Sequence, residues 1–173
     1  SDLNYEAGKD MSYAGYGEIK KDQNIDGGTI SLLIDGERVY FNKGMGAHAA
    51  SQLTYDISKY SKDYTRFVAK IGVDASRADN NGEVKFTIFS SKDGKAWTEL
   101  QKTEAINSGQ DAIDVDVNIE GCKYLRLVAD SNGTNASDHS VYADARIVKK
   151  NYDLSSEIYK NVKKVSEYDA ILS

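Results

Sequence analysis

The stretch IDVDVNI, Ile113–Ile119, alternates without a break: Ile113, Val115, Val117 and Ile119 are apolar, and Asp114, Asp116 and Asn118 between them are polar. Successive side chains of an extended strand point to opposite faces, whereas a helix would bring its apolar residues back every three or four positions. The stretch therefore reads as a strand with one buried and one wet face. The same period recurs in QLTYDI (Leu53, Tyr55, Ile57), FVAKIGV (Phe67, Ala69, Ile71, Val73) and VKFTI (Val84, Phe86, Ile88).

Turn chemistry punctuates these runs at Asp35-Gly36, Asn81-Gly82, Asp93-Gly94, Glu120-Gly121 and Asn132-Gly133. Most are Asx-Gly pairs, which accept the positive φ that tight hairpins demand. Further strands are expected at Tyr13 to Lys20, Thr29 to Ile34, Arg38 to Asn42, Trp97 to Leu100, Tyr124 to Asp130 and Val141 to Val148. Roughly ten strands with no helix between them predict an all-β antiparallel sandwich or jelly roll. The run from Asp153 to Ser173 changes character. It has no glycine, Asp153 or Ser155 offers an N-cap, and Ile158, Val162 and Val165 are spaced as a helical stripe. The division expected is a β-sandwich over residues 1–150 and a short helical linker, or the start of another module, over 151–173.

At 173 residues the chain is long enough for a two-layer core without disulfides or metal clusters. Its 22 basic residues stand against 27 acidic ones, a net charge of −5, and no basic face or basic amphipathic helix is visible. Nucleic acid and membrane insertion are thereby excluded as partners. The single cysteine, Cys122, excludes an intrachain disulfide and any multi-cysteine metal site, and its place beside Gly121 suits a small half-buried residue. The opening at Ser1, with no apolar signal segment, suggests a piece of a longer protein.

If the strands around 51–57 and 66–74 pair through the turn near Ser58 to Thr65, His48 and Asp74 share one end of the fold. A strand ending at Asp130 in the same sense brings a third loop there. The rim then gathers GMGAHAAS (Gly44 to Ser51), DASRADNNG (Asp74 to Gly82) and DSNGTNASDH (Asp130 to His139). These segments are rich in side chains that make fork-like or paired hydrogen bonds, which suit the vicinal hydroxyls of a sugar, while an aromatic ring suits its C–H face. The candidate contacts are His48, Asp74, Arg77, Asn80, Asp138 and His139 for hydroxyls, and Tyr16 and Tyr142 as stacking rings; Trp97 is a further ring. No cofactor is required. The oxygen-rich loops are compatible with a structural calcium, although no EF-hand spacing is present.

Five segments in order, NKGMGAHAASQLTYDI, FVAKIGVD, VKFTIFSSKDGK, GCKYLRLVAD and SDHSVYADARI, resemble the NPCBM family of carbohydrate-binding modules over roughly Ala7 to Lys149. The resemblance implies a galactose-binding-like β-sandwich, secreted or at the cell surface, covalently attached to a bacterial glycoside hydrolase or peptidase. It implies recognition of galactose-containing glycans, blood-group-type structures among them. The family's glycine-histidine motif falls on Gly44, Gly46 and His48, its Gly-Val-Asp on Gly72, Val73 and Asp74, and its terminal Asp-His on Asp138 and His139. Members often carry Trp where this chain has Tyr16 and Tyr142. The module is expected to be a monomer without chemistry of its own. A protein-binding or structural adhesion role is the alternative. No activated nucleophile or raised-pKa acid marks the chain as an enzyme.

Overall fold

The structure, a computed structural model, describes residues 3–78, 81–133 and 137–153. The segment from 154 onward, where the helical tail is expected, and Asn80 lie outside the described residues. Among the described residues no helix is long and apolar enough to cross a membrane.

Thirteen strands are described, and all the pairs between them are antiparallel. One sheet runs β1 (Tyr13–Ala14), β6 (Ser51–Asp56), β12 (Tyr124–Ser131), β8 (Glu83–Ser91), β10 (Ile106–Asn107), with β9 (Thr98–Lys102) also paired to β8. The second runs β11 (Ile113–Asn118), β7 (Tyr64–Val73), β13 (His139–Lys149), β5 (Gly44–His48), β2 (Lys20–Lys21). The remaining strands, β3 (Ile30–Ile34) and β4 (Glu37–Phe41), form a separate hairpin. Its Asp35-Gly36 turn has φ of 52° and 80°, so both central residues are left-handed, as a two-residue hairpin loop matched to strand twist requires.

The alternating residues read from the sequence do face inward. Leu53 and Tyr55 of β6, Leu125 and Leu127 of β12, and Phe86 and Ile88 of β8 pack against Phe67, Ala69 and Ile71 of β7 and Met45 of β5 in one core. The second sheet is buried on its other face as well. There Val141 and Ala143 of β13 pack under Ile30, Leu32 and Phe41 of the hairpin. A Cβ on Gly72 would lie 3.0 Å from a Leu32 methyl, so the glycine in FVAKIGV is the floor on which the hairpin sits.

Three expectations are corrected. First, the strands around 51–57 and 66–74 do not pair; they belong to opposite sheets, and the turn between them is a crossover. Second, GMGAH is not an irregular loop but β5, with neighbours on both sides. Its glycines obscured it, yet a Cβ on Gly46 would stand 2.5 Å from the Gln23 carbonyl oxygen and 2.9 Å from the Asn24 Cα. Glycine is needed there for close approach of a neighbouring chain segment rather than for a turn. Third, the Tyr13 to Lys20 strand is two short pieces, β1 and β2, one on each sheet. The connection between them leaves Tyr16 outside any strand.

Tyr142 is also corrected. Its side chain points between the sheets, fully buried and edge-on to Phe86 with centroids 5.4 Å apart, so it stacks on core and not on sugar. Its hydroxyl is buried with no hydrogen-bond partner. Tyr142→Phe should therefore leave the unfolding temperature unchanged or slightly raised, whereas Tyr142→Ala should cost about 3–5 kcal/mol by denaturant unfolding. A loss of several degrees on Tyr142→Phe would show that the hydroxyl is bonded after all.

Candidate functional site

Although the assumed pairing is wrong, the three expected segments do meet at one end of the sandwich. β5 and β7 both end there, β13 begins there, and His48 and His139 are directly opposite one another in the β5–β13 ladder. Cross-strand neighbours share a face, and the two imidazoles meet edge-to-face with centroids 5.6 Å apart. The Asp74 N–H donates to the His139 carbonyl (2.8 Å), and the Ala49 N–H donates to the Asp138 carbonyl (3.0 Å), closing the rim.

Asp74 holds this end together from inside. It is fully buried. One carboxylate oxygen accepts from the Ser31 N–H (3.0 Å); the other accepts from the Ser76 N–H (3.0 Å), the Ser31 hydroxyl (3.4 Å) and the Asn24 amide (3.4 Å). It caps the short 3-10 helix Ala75–Arg77 and ties it to the hairpin and to the loop after β2. A carboxylate saturated by four donors and closed to solvent positions the site but does not face a ligand. Asp138 is likewise fully buried, with one oxygen accepting from the Glu83 N–H (2.9 Å). Both were expected to meet hydroxyls; both serve the scaffold instead.

Along the rim runs a row of side chains in which Tyr16, Asp26 and Arg77 reach solvent and the two imidazoles between them are largely buried. Tyr16 is 73% exposed and stands edge-on to His48, centroids 5.8 Å apart. His48 donates from Nδ1 to the Ala49 carbonyl (2.6 Å), so in the neutral ring the lone pair is on Nε2. Together with Gly15, Ala49 and Ala50, these two residues line an open cleft of about 450 Å³. Beyond His48 comes His139, whose Nδ1 lies 3.8 Å from Asp26 Oδ2, too far for a hydrogen bond. Asp26 in turn pairs with the Arg77 guanidinium at 2.9 Å. Tyr16, His48, Arg77 and His139 are thus brought together as expected. Asp26 was missed, because one acidic residue in a Gly-rich loop carries no periodicity or motif that would single it out.

The row offers a ring for a C–H face, a lone pair at His48, and the acceptor and fork of the Asp26–Arg77 pair for hydroxyls. Among the described residues, no group of three or more His, Cys, Asp or Glu side chains is placed to hold a metal ion.

A β-sandwich with a mixed aromatic and polar rim at one end is an architecture that carbohydrate-binding modules use, and comparison with known proteins makes the assignment. The chain belongs to the NPCBM/NEW2 domain family, whose model matches residues 1–148. It is 30% identical over 139 residues to a putative endo-alpha-N-acetylgalactosaminidase of Renibacterium salmoninarum, covering 78% of this chain and 8% of that one. It is 35% identical over 129 residues to the blood-group-substance endo-1,4-beta-galactosidase of Clostridium perfringens, covering 70% of this chain and 16% of that one. The chain therefore spans only a small part of the curated relatives it matches. Among solved structures, the CBM51 module of Clostridium perfringens GH95, in complex with methyl-galactose, superposes with a TM-score of 0.76 at 30% identity, over 85% of this chain and 96% of that one. The chain is accordingly a non-catalytic carbohydrate-binding module.

Two outcomes test how the rim is held. Asp74→Ala strands several buried donors, each costing about 1–3 kcal/mol, so it should lower the unfolding temperature, while Arg77→Ala, which strips an exposed pair, should barely move it. The second concerns pH. Burial pushes the His139 imidazole below its ordinary 6.5; the charges of Arg77 and His48 push the same way, while those of Asp26 and Asp74 oppose. The unfolded chain then takes up the proton first, so stability should fall as pH drops below about 6.5 and level off once folded His139 also titrates. In His139→Gln that slope should shrink; an unchanged slope would mean that the proton is taken up elsewhere.

Proposed function

We propose that the rim row binds a terminal galactose-type sugar, including those of blood-group-type glycans, and so holds an attached glycoside hydrolase or peptidase on its substrate. The observation that carries the reading is the exposed Tyr16 ring standing at the mouth of a cleft against His48, with the Asp26–Arg77 pair further along the same rim. A galactose presents an apolar patch on one face and an axial hydroxyl near it. The ring covers the patch, His48 Nε2 accepts from one hydroxyl, and the Arg77 fork and Asp26 carboxylate complete the polar contacts. The similarity to a module solved with methyl-galactose and to a blood-group-substance galactosidase supports both the sugar class and the attachment. The protein acts outside the cell, where such glycans are displayed. It works as a monomer and requires no metal.

A shallow site of this kind binds weakly, with Kd in the micromolar to millimolar range, about −8 to −4 kcal/mol. Calorimetry with methyl-galactose, GlcNAc and a blood-group oligosaccharide should show saturable heat, greatest for the galactose-containing ligands and unchanged by EDTA. Tyr16→Ala should weaken binding by about three- to tenfold, as expected for loss of one ring contact, and His48→Ala and Arg77→Ala should weaken it further with the fold intact. Binding that survives all three substitutions would place the sugar elsewhere. If no sugar gives heat, a protein partner becomes the better reading.

A further inference from the structure

A second cluster lies on the outer face of the first sheet, on residues the rim does not use. Leu53, Leu127 and Ile88 point into the core, so their strand neighbours Thr54, Arg126 and Phe89, which are opposite one another across β6, β12 and β8, point outward. At the centre is Arg126. Its guanidinium stacks on the Trp97 ring, 3.8 Å from the centroid, and Trp97 meets Tyr124 edge-on at 6.4 Å. Arg126 Nε donates to the Thr54 hydroxyl oxygen (2.9 Å), and Nη2 donates to the Asp10 carbonyl (3.1 Å). The Thr54 hydroxyl gives its own proton to the Met11 carbonyl, so its oxygen is committed as an acceptor. Tyr13, 40% exposed on edge strand β1, pairs with Gln52 on the same face.

Among the described residues, the polar partners of Arg126 are two neutral oxygens and an aromatic face. Among the described residues no carboxylate lies within ion-pair distance of it, in a chain whose acidic residues outnumber its basic ones. Partial burial works against its charge, lowering the guanidinium pKa. A cation taken partly out of water is ordinarily given an anion. Here it is held by neutral groups, with Nη1 making no hydrogen bond to a described residue and rings on its flank.

We propose that this face is a second saccharide site, separate from the rim, for a sugar that carries an anionic group, a carboxylate or a sulfate. The anion meets the Nη1 edge of Arg126, where charge-assisted hydrogen bonds are strongest. The sugar ring lies against the exposed flank of Trp97 and Tyr13. The rigidity of Arg126 means that little ordering entropy is lost on binding. This site does not depend on the rim reading, since the two share no residue.

The test compares 3′-sialyllactose and 3′-sulfated lactose with lactose, by calorimetry and by the Trp97 indole N–H signal in NMR. Both acidic sugars should bind the wild-type module about tenfold more tightly than lactose, the scale of one hydrogen bond to a charged group. The gain should shrink in high salt. They should shift the indole signal where lactose does not. Arg126→Gln and Trp97→Ala should abolish the gain while leaving lactose binding and its dependence on His48 untouched; conversely, His48→Ala should weaken lactose and spare the gain. If Arg126→Gln does not fold, the indole shift in the wild-type protein decides. Equal affinity for acidic and neutral sugars, a gain that persists in Arg126→Gln, or a Glu-rich peptide that moves the indole as the acidic sugars do would each overturn the proposal. If only the sulfated sugar binds, the site reads sulfate and not carboxylate.

Discussion

The buried carboxylate of Asp74 is the point on which the rim end of this sandwich hangs. Through Asn24, Ser31 and Ser76 it joins the loop after β2, the β3–β4 hairpin and the 3-10 helix, and its own N–H meets β13. Three stretches of the sequence, around residues 24–31, 74–77 and 139, are thus fixed around a single residue. Arg77 and Asp26 stand on two of these segments, so their ion pair on the rim inherits its geometry from an interaction no ligand touches. Positioning a weak, solvent-facing site by a saturated internal one is sound physics. Exposed pairs contribute little by themselves, and a rim held from behind loses less entropy on binding.

The hairpin gives this arrangement its second support. By covering Val141 and Ala143 it buries the outer face of the second sheet, so β13 is packed on both sides and His139 enters the rim from a strand that cannot move independently. The ladder then sets His48 opposite His139, and the edge-to-face imidazoles carry the rim from Tyr16 towards Asp26.

The rim separates two roles that its residue types alone do not distinguish. Asp74, Asp138 and Tyr142 have the chemistry of sugar contacts but are closed to solvent, whereas Tyr16, Arg77 and Asp26 are open to it. The family's shared Gly-His, Gly-Val-Asp and Asp-His motifs include scaffold residues of this kind. Gly46, Asp74 and Asp138 keep the end of the sandwich closed, through a close chain approach at the glycine and backbone hydrogen bonds at the two carboxylates.

The sequence by itself determined the strands that alternate, because such a strand needs only the local pattern seen in IDVDVNI and VKFTI, and it determined the hairpin at Asp35-Gly36, because a two-residue turn needs only local positive φ. It also brought three segments to one rim, since the count of strand reversals survives even when the pairing is wrong. Tertiary structure alone decided that β6 and β7 lie in opposite sheets, that GMGAH is a strand whose glycines admit a neighbouring chain, and that Tyr142 faces inward. It alone found Asp26 on the rim and the stacking of Arg126 on Trp97. The physical reason is the same in each case: alternation states that a residue has a side, but which neighbour covers that side is fixed by contacts between segments tens of residues apart.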